Sequence, residues 1–126
     1  EMIYSLYPHE GSFSVPTVLR EAYLLNVPML AAKGGLKSEF TPLFTLDADN
    51  IVAETVKPAE YGKKAYVIRL YEAERNRTVC RLKINGGGAV YETNMLEEVK
   101  AKLSAEDGAY TLEFKPFEIK TILVEI

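Results

Sequence analysis

The period of the apolar side chains constrains the fold of this chain more than any other feature, because apolar and polar residues alternate along short runs from residue 41 onward. A period of two places successive side chains on opposite faces of a β-strand, whereas an amphipathic helix has a period of 3.6. The apolar sets of three such runs are Phe44, Leu46 and Ala48; Tyr66, Ile68 and Leu70; and Cys80, Leu82 and Ile84. Each run is predicted to be a strand that buries one face.

Residues that favour turns separate these runs at intervals of about a dozen residues, which is the spacing of many short strands. Gly, Asn and Asp adopt a positive φ at low cost, so they mark the places where the chain reverses. The predicted turns are Asp49-Asn50, Tyr61-Gly62, Asn76-Arg77, Gly86-Gly87-Gly88 and Asp107-Gly108. We therefore predict an all-β fold, an antiparallel β-sandwich of about seven strands, rather than βαβ units with helical crossovers.

The C-terminal run contains a change of phase around Pro116, which has no backbone N–H to donate to a sheet. Before Pro116 the apolar residues occupy even positions, at Tyr110, Leu112 and Phe114. Just after it they occupy odd positions, at Phe117 and Ile119. At the end of the chain they return to even positions, at Ile122, Val124 and Ile126. A slip of one residue reverses the face of every side chain, so we predict a β-bulge or a change of partner near Lys120 and Thr121.

Residues 1–40 follow a different pattern. Met2 to Tyr7 is predicted to form a short strand, which Pro8 and Gly11 end. A short helix is predicted after Ser14 and Pro16, which suit a helix start, because the next apolar residues have roughly helical spacing. These residues are Val18, Leu19, Ala22, Tyr23 and Leu25. The segment Lys33-Gly34-Gly35-Leu36-Lys37 is predicted to be a flexible connector.

Composition limits the classes of function. With 126 residues, of which 48% are hydrophobic and 26% charged, the chain is long enough for one core and too short for a multi-domain enzyme. A net charge of −3 without a Lys/Arg cluster argues against nucleic acid or a membrane surface as a partner. The single cysteine, Cys80, cannot form an internal disulfide, and we expect it to be buried as a small hydrophobic side chain.

Six segments of the chain carry a resemblance to a known family. They are YSLYPHEG from Tyr4, REAYLLNVPML from Arg20, ETVKPAE from Glu54, IRLYEAE from Ile68, YETNMLEE from Tyr91 and FKPFEIKT from Phe114. In the same order, they resemble segments at the C-terminal end of family 38 glycoside hydrolases, the α-mannosidases. The resemblance implies that residues 1–40 are the tail of a preceding middle β-domain with a connector, and that residues 41–126 are the C-terminal β-sandwich domain. The chain departs from the family pattern at Ser12-Phe13, where family members have Asp-Trp.

The resemblance also implies where the chemistry is located. Family 38 enzymes hydrolyse terminal α-linked mannose with retention, and their zinc ion and carboxylate nucleophile lie in an N-terminal α/β domain. The one His and one Cys here cannot supply the three or four such ligands of a usual zinc site. Counting alone leaves open a mixed site of His9 with carboxylates, but no His-x-x-His or His-x-Asp spacing supports it. We expect no cofactor in this chain and a zinc ion in the parent enzyme.

Acidic pairs are the remaining candidates for catalysis, because a retaining glycosidase needs two carboxyl groups about 5 Å apart. Such pairs are Glu97-Glu98, Glu72 with Glu74, and Glu106-Asp107. Their polar or alternating surroundings predict solvated faces, so we expect no catalytic residue. Asn76-Arg77-Thr78 fits the N-glycosylation pattern, which has meaning only in a secretory protein.

The segment around His9 is the candidate contact between domains. His9 and Glu10 could form an acid/base pair, but neighbouring residues of an extended segment point to opposite sides. We expect instead that the segment docks at a strand end or a domain interface. The candidate residues are Tyr4, Tyr7, Pro8, His9, Glu10 and Phe13.

Three functions are therefore compared. The first is a non-catalytic C-terminal domain that supports interdomain or subunit packing in an α-mannosidase; its partners would be the other domains of the same chain and, in a homo-oligomer, other subunits. The second is a carbohydrate-binding module, which needs an exposed row of aromatic rings; with no Trp, we do not expect direct sugar binding. The third is an unrelated protein-interaction sandwich. The first is favoured, and the resemblance implies a cytoplasmic location if the protein is bacterial.

Overall fold

A computed structural model describes residues 3–27, 29–31, 33–35, 40–60 and 64–126. Within these ranges the chain forms one helix followed by eight strands. The helix is α1 (Val15–Asn26), and the strands are β1 (Phe44–Leu46), β2 (Ile51–Pro58), β3 (Ala65–Glu72), β4 (Thr78–Ile84), β5 (Val90–Thr93), β6 (Val99–Leu103), β7 (Tyr110–Phe114) and β8 (Ile119–Glu125). The predicted all-β class is confirmed, with eight strands where about seven were expected.

The strands form two antiparallel sheets. The smaller sheet has the order β1-β4-β7, and the larger has the order β2-β3-β8-β5-β6. Their inner faces enclose the main core, in which Ile68, Leu70, Leu82 and Ile122 are fully buried. The three predicted apolar sets all lie in this core or pack against it, and Cys80 is fully buried among them as expected.

Strand β3 buries both faces, so the prediction of one buried face is wrong for this strand and right for β4. Ala65, Val67 and Leu123 form a second cluster on the opposite face of the larger sheet, with Ala59 and Tyr91 packed against it. The physical reason is that side chains from the loop after β2 and from β5 also pack on this second face.

The turn residues adopt the predicted backbone. Gly86, Gly87, Asp107 and Gly108 have φ values of 84°, 101°, 49° and 74°, and Asp49-Asn50 also forms a turn. A Cβ atom on Gly87 would lie only 3.0 Å from the backbone oxygen of Glu125, so this position requires glycine for space as well as for φ. The turn predicted at Asn76-Arg77 is centred one or two residues earlier, where Arg75 has φ 62°. The predicted turn at Tyr61-Gly62 lies outside the described residues.

The C-terminal phase change is a change of partner. Strand β7 pairs with β4 in the smaller sheet, whereas β8 pairs with β3 and β5 in the larger one. The crossing occurs in a turn at residues 115–118, in which the Glu118 N–H donates to the Lys115 oxygen at 3.0 Å. The predicted location near Lys120 and Thr121 is wrong, because the pairing of β8 runs through both residues without a bulge. Phe117 and Ile119 are consequently exposed rather than buried.

The N-terminal part contains the predicted helix but not the predicted strand. Helix α1 begins directly after Ser14, and the Val27 N–H caps its end by donating to the Tyr23 oxygen. Residues 3–9 form no strand, because no neighbouring strand accepts and donates their backbone hydrogen bonds. No α1 residue is buried. Met2, Leu36 and Lys37 lie outside the described residues, and the domain boundary near residue 40 stays a prediction.

Candidate functional site

A fully buried carboxylate lies at the end of β3. The side chain of Glu72 has no exposure to solvent, and both of its oxygens accept hydrogen bonds. Oε1 accepts from Asn50 Nδ2 at 2.9 Å and from the Glu74 N–H at 2.7 Å, while Oε2 accepts from the Phe117 N–H at 3.0 Å. The same Asn50 amide also donates to Thr78 Oγ1 at 2.7 Å. Glu72 therefore connects β3 to three separate turns.

The hydrogen bonds keep Glu72 ionised in spite of its burial. Burial alone would raise the pKa of the Glu72 carboxyl, but the N–H donors of Phe117, Glu74 and Asn76 and the Asn50 amide lower that pKa below its usual value of 4.5. A buried carboxylate with this many donors is a structural junction, because its charge is fully satisfied within the protein.

The turn that Glu72 holds presents an aromatic ring to solvent. Pro116 occupies the second position of this turn and Phe117 the third, and Phe117 has φ 57°. This is the pattern of a type II turn, in which glycine or asparagine is normally found at the third position. The backbone of Phe117 is therefore strained, and 62% of the residue is exposed to solvent.

An open groove of about 620 Å³ lies beside this turn, between α1 and the outer face of the larger sheet. Its apolar wall includes Leu19, Tyr71, Met95, Phe117 and Ile119. Burial, helped by the neighbouring Tyr23 hydroxyl, raises the pKa of Tyr71 to about 12. The groove therefore combines an apolar wall with the polar side chains of Glu54, Thr55 and Arg69, and it is open to solvent.

A second charged cluster ties the loop after β2 to the turn between β5 and β6. Lys57 Nζ lies 2.6 Å from Glu97 Oε1, and the Glu60 N–H donates to Glu97 Oε2 at 2.7 Å. Burial would raise the pKa of Glu97, but Lys57 and the Glu60 N–H outweigh it and lower that pKa. The side chain of Glu97 is 5% exposed, so the expected solvated face is wrong for this residue, as it is for Glu72. Both were misjudged because their partners are distant in sequence.

The other acidic pairs are exposed. Glu98 Oε2 accepts from Asn94 Nδ2 at 2.6 Å, and Glu106 and Asp107 form a tight turn at the surface. Within the described ranges no group of three or more His, Cys, Asp and Glu side chains is arranged to hold a metal ion. The same residues contain no helix long and apolar enough to cross a membrane.

The candidate interdomain segment lies on the surface. All six of its predicted residues are exposed: Tyr4, Tyr7, Pro8, His9, Glu10 and Phe13. The Tyr7 and His9 rings stack with centroids 5.9 Å apart, and His9 Nδ1 lies 3.1 Å from the Glu10 backbone oxygen. The Glu10 carboxylate is not the hydrogen-bond partner of His9, so the geometry does not form an acid/base pair.

Sequence reasoning missed the two residues that organise the candidate site, Glu72 and Phe117. Glu72 was placed on a solvated face and Phe117 on a buried one, and the structure reverses both positions. One signal was available: Pro116 marks a turn, and a residue that follows Pro in a turn is exposed more often than a strand residue. No local signal identifies Glu72, because its donors come from three different segments.

Comparison with known proteins identifies relatives of the whole chain. A family model described as "Glycosyl hydrolases family 38 C-terminal beta sandwich domain" matches residues 50–122, which run from β2 into β8. The chain is 32% identical to mouse Alpha-mannosidase 2C1 and 33% identical to its human counterpart, and in both cases the match covers 98% of the chain. It is 29% identical to Alpha-mannosidase G of Dictyostelium discoideum. The chain spans only 12–13% of the length of these relatives.

Proposed function

Because the chain belongs to the C-terminal β-sandwich family of the family 38 glycosyl hydrolases, we propose that it is the non-catalytic terminal domain of an α-mannosidase. The single observation that carries this proposal is the family match over residues 50–122, together with relatives that are named as α-mannosidases. The parent enzyme would hydrolyse terminal α-linked mannose with retention of configuration.

The use of the buried carboxylates supports a non-catalytic role. A retaining mechanism needs one carboxyl group that is free to attack and another that is free to transfer a proton. Glu72 has both oxygens engaged by donors, and Glu97 is paired with Lys57 and the Glu60 N–H. Glu72 and Glu97 therefore stabilise the fold and have no free oxygen for a substrate.

The catalytic zinc ion and nucleophile would then lie in the part of the parent that precedes this region. The relatives have room for them, since the matched region is about an eighth of their length. Zinc, when bound there, would supply a Lewis acid that can bind oxygen atoms of the sugar. This domain would contribute packing against other domains or subunits.

The exposed N-terminal segment is the proposed contact for that packing. Tyr4 and Phe13 are 90% and 70% exposed, which is unusual for aromatic side chains that have no role in an interface. Together with Tyr7, Pro8, His9 and Glu10, they would form a contact at the interface between domains.

The test is an activity assay with p-nitrophenyl α-mannoside on the full-length parent and on the 126-residue chain, each with zinc and with a chelator. We expect the parent to be active and sensitive to the chelator, and the 126-residue chain to show only the background rate. Hydrolysis that increases with the concentration of the 126-residue chain would contradict the proposal. Localised NMR shifts of this chain with mannose or mannobiose would support the carbohydrate-binding alternative instead.

A further inference from the structure

Phe117 violates two ordinary preferences at once. Because the phenylalanine ring is largely exposed, most of the free energy that its burial would supply is absent. A non-glycine residue at φ 57° also costs on the order of 1 kcal/mol relative to glycine. Within the described residues, the ring remains 62% exposed, so packing inside the domain does not offset this cost. Strain of this kind, when it is observed, is a reason to look for a function.

The structure holds the turn firmly in this conformation. The Phe117 N–H donates to the buried Glu72 carboxylate, the Glu118 N–H donates to the Lys115 oxygen, and the Lys115 N–H donates to Glu118 Oε2 at 2.7 Å. Three hydrogen bonds, two of them to carboxylates, fix a turn of four residues. The backbone that carries the exposed ring is therefore held in place before any partner binds.

The ring is continuous with other exposed apolar groups. Ile119 and Met95 are 58% and 52% exposed, and both line the groove together with Phe117. Thr121 Oγ1 lies 3.7 Å from Met95 Sδ, and Arg69 Nη2 donates to the Met95 backbone oxygen at 3.2 Å, so the Met95 turn is also held in place. An exposed apolar surface of this kind marks an interaction site.

We propose that the surface formed by Phe117, Ile119 and Met95 docks on an apolar pocket of the preceding part of the same polypeptide, with Phe117 as the inserted anchor. This inference rests on the proposed function, because it requires a parent enzyme with further domains. The relatives carry about seven-eighths of their residues outside the matched region, so in a parent of similar length a covalently linked partner would be present at high effective concentration. The contact is separate from the one proposed for residues 4–13.

The side chains of Phe117, Ile119 and Met95 favour an apolar protein surface over a sugar, because none of them offers a strong hydrogen-bond donor or acceptor. A sugar site needs free donors and acceptors beside its aromatic platform. Of the polar side chains that line the groove, Glu72 has both oxygens engaged, and Arg69 Nη2 donates to the Met95 oxygen. Arg69 Nε has no hydrogen-bond partner among the described residues, and Glu54 and Thr55 also line the groove, so a sugar is a competing occupant that the experiment has to exclude. Met95 adapts its shape to a neighbouring side chain, as methionines do at protein interfaces.

Phe117→Gly separates the anchor from a structural role, because the two predict effects of opposite sign. In the 126-residue chain the substitution relieves the strained φ, so the melting temperature should be unchanged or higher. In the full-length parent it removes the anchor, and the half-life of activity at elevated temperature should fall roughly tenfold or more. Val79→Ala, which truncates an exposed residue on the other sheet, is the matched control and should leave both measurements unchanged.

Four outcomes would separate docking on the same polypeptide from the alternatives. An active parent in which Phe117→Gly leaves the half-life unchanged would overturn this inference while leaving the proposed function intact. A parent without mannosidase activity would overturn the proposed function, and its thermal unfolding would still report on the anchor. Concentration-dependent dimerisation of the 126-residue chain that Phe117→Gly abolishes would identify a second copy as the occupant. Mannose-induced NMR shifts centred on Phe117 would identify a sugar, and either finding would refute docking on the same polypeptide.

Discussion

Replacing Glu72 with glutamine should strongly destabilise the domain even though the side chain keeps its shape. One of the two glutamine head-group atoms is an NH₂ group, which cannot accept a hydrogen bond. If this group takes the place of Oε2, it faces the Phe117 N–H and leaves a buried donor without a partner. A lost charge-assisted bond and an unsatisfied donor together cost roughly 3 kcal/mol of unfolding free energy.

The size of this effect should depend on pH. The folded-state pKa of Glu72 lies below its usual value of 4.5, so the unfolded chain binds the proton more tightly than the folded chain. The stabilisation by the charged carboxylate is therefore complete above pH 4.5 and is lost as pH falls through the lower, folded-state pKa. Glu72→Gln cannot titrate, so the difference between the two proteins should shrink as the medium becomes acidic.

Urea unfolding followed by far-UV circular dichroism measures this difference, since the chain has no Trp to report by fluorescence. The control is Glu74→Gln, which changes an exposed carboxylate two residues away and should cost less than about 0.5 kcal/mol at any pH. A Glu72→Gln effect below 1 kcal/mol at neutral pH, or one that stays constant down to pH 3, would refute the reasoning.

Three further predictions concern the core, a turn and the Lys57 cluster. Leu82→Ala in the fully buried core should cost about 3 kcal/mol by urea unfolding, whereas Val79→Ala three residues earlier should cost less than about 0.5 kcal/mol; equal costs would contradict the assignment of faces. Gly87→Ala should lower the unfolding free energy by at least about 1 kcal/mol, because its φ and the nearby Glu125 oxygen both oppose a Cβ, and a neutral result would contradict this. Lys57→Met should raise the pKa of Glu97 in an NMR titration, since burial then acts without its cationic partner; an unchanged pKa would exclude Lys57 as the cause.

The class of fold could be predicted from sequence because it depends on local patterns. Alternation identified β1, β3 and β4, turn residues located most of the reversals, and helical spacing after Ser14 identified α1. The strand predicted from Met2 to Tyr7 failed because strand formation requires a partner, and a sequence pattern does not supply one. The prediction of a single buried face for β3 failed because other segments, which include Ala59 and Tyr91, pack on its second face.

The candidate site was much less predictable. The shift of phase at Pro116 correctly indicated a change of partner, but it placed the crossing too late because Phe117 and Ile119 were assumed to be buried. The environment of Glu72 is set by donors from residues 50, 74 and 117, and its burial emerges only when these segments meet. Properties that depend on several distant segments are not encoded in any local period.

The most direct test of the central claim is to delete the region equivalent to residues 1–126 from the parent enzyme and then supply this chain separately by co-expression. The account predicts that the truncated enzyme loses soluble activity toward p-nitrophenyl α-mannoside and that the co-expressed chain restores a substantial part of it. A truncated enzyme with the same kcat and the same thermal half-life as the intact parent would contradict the account.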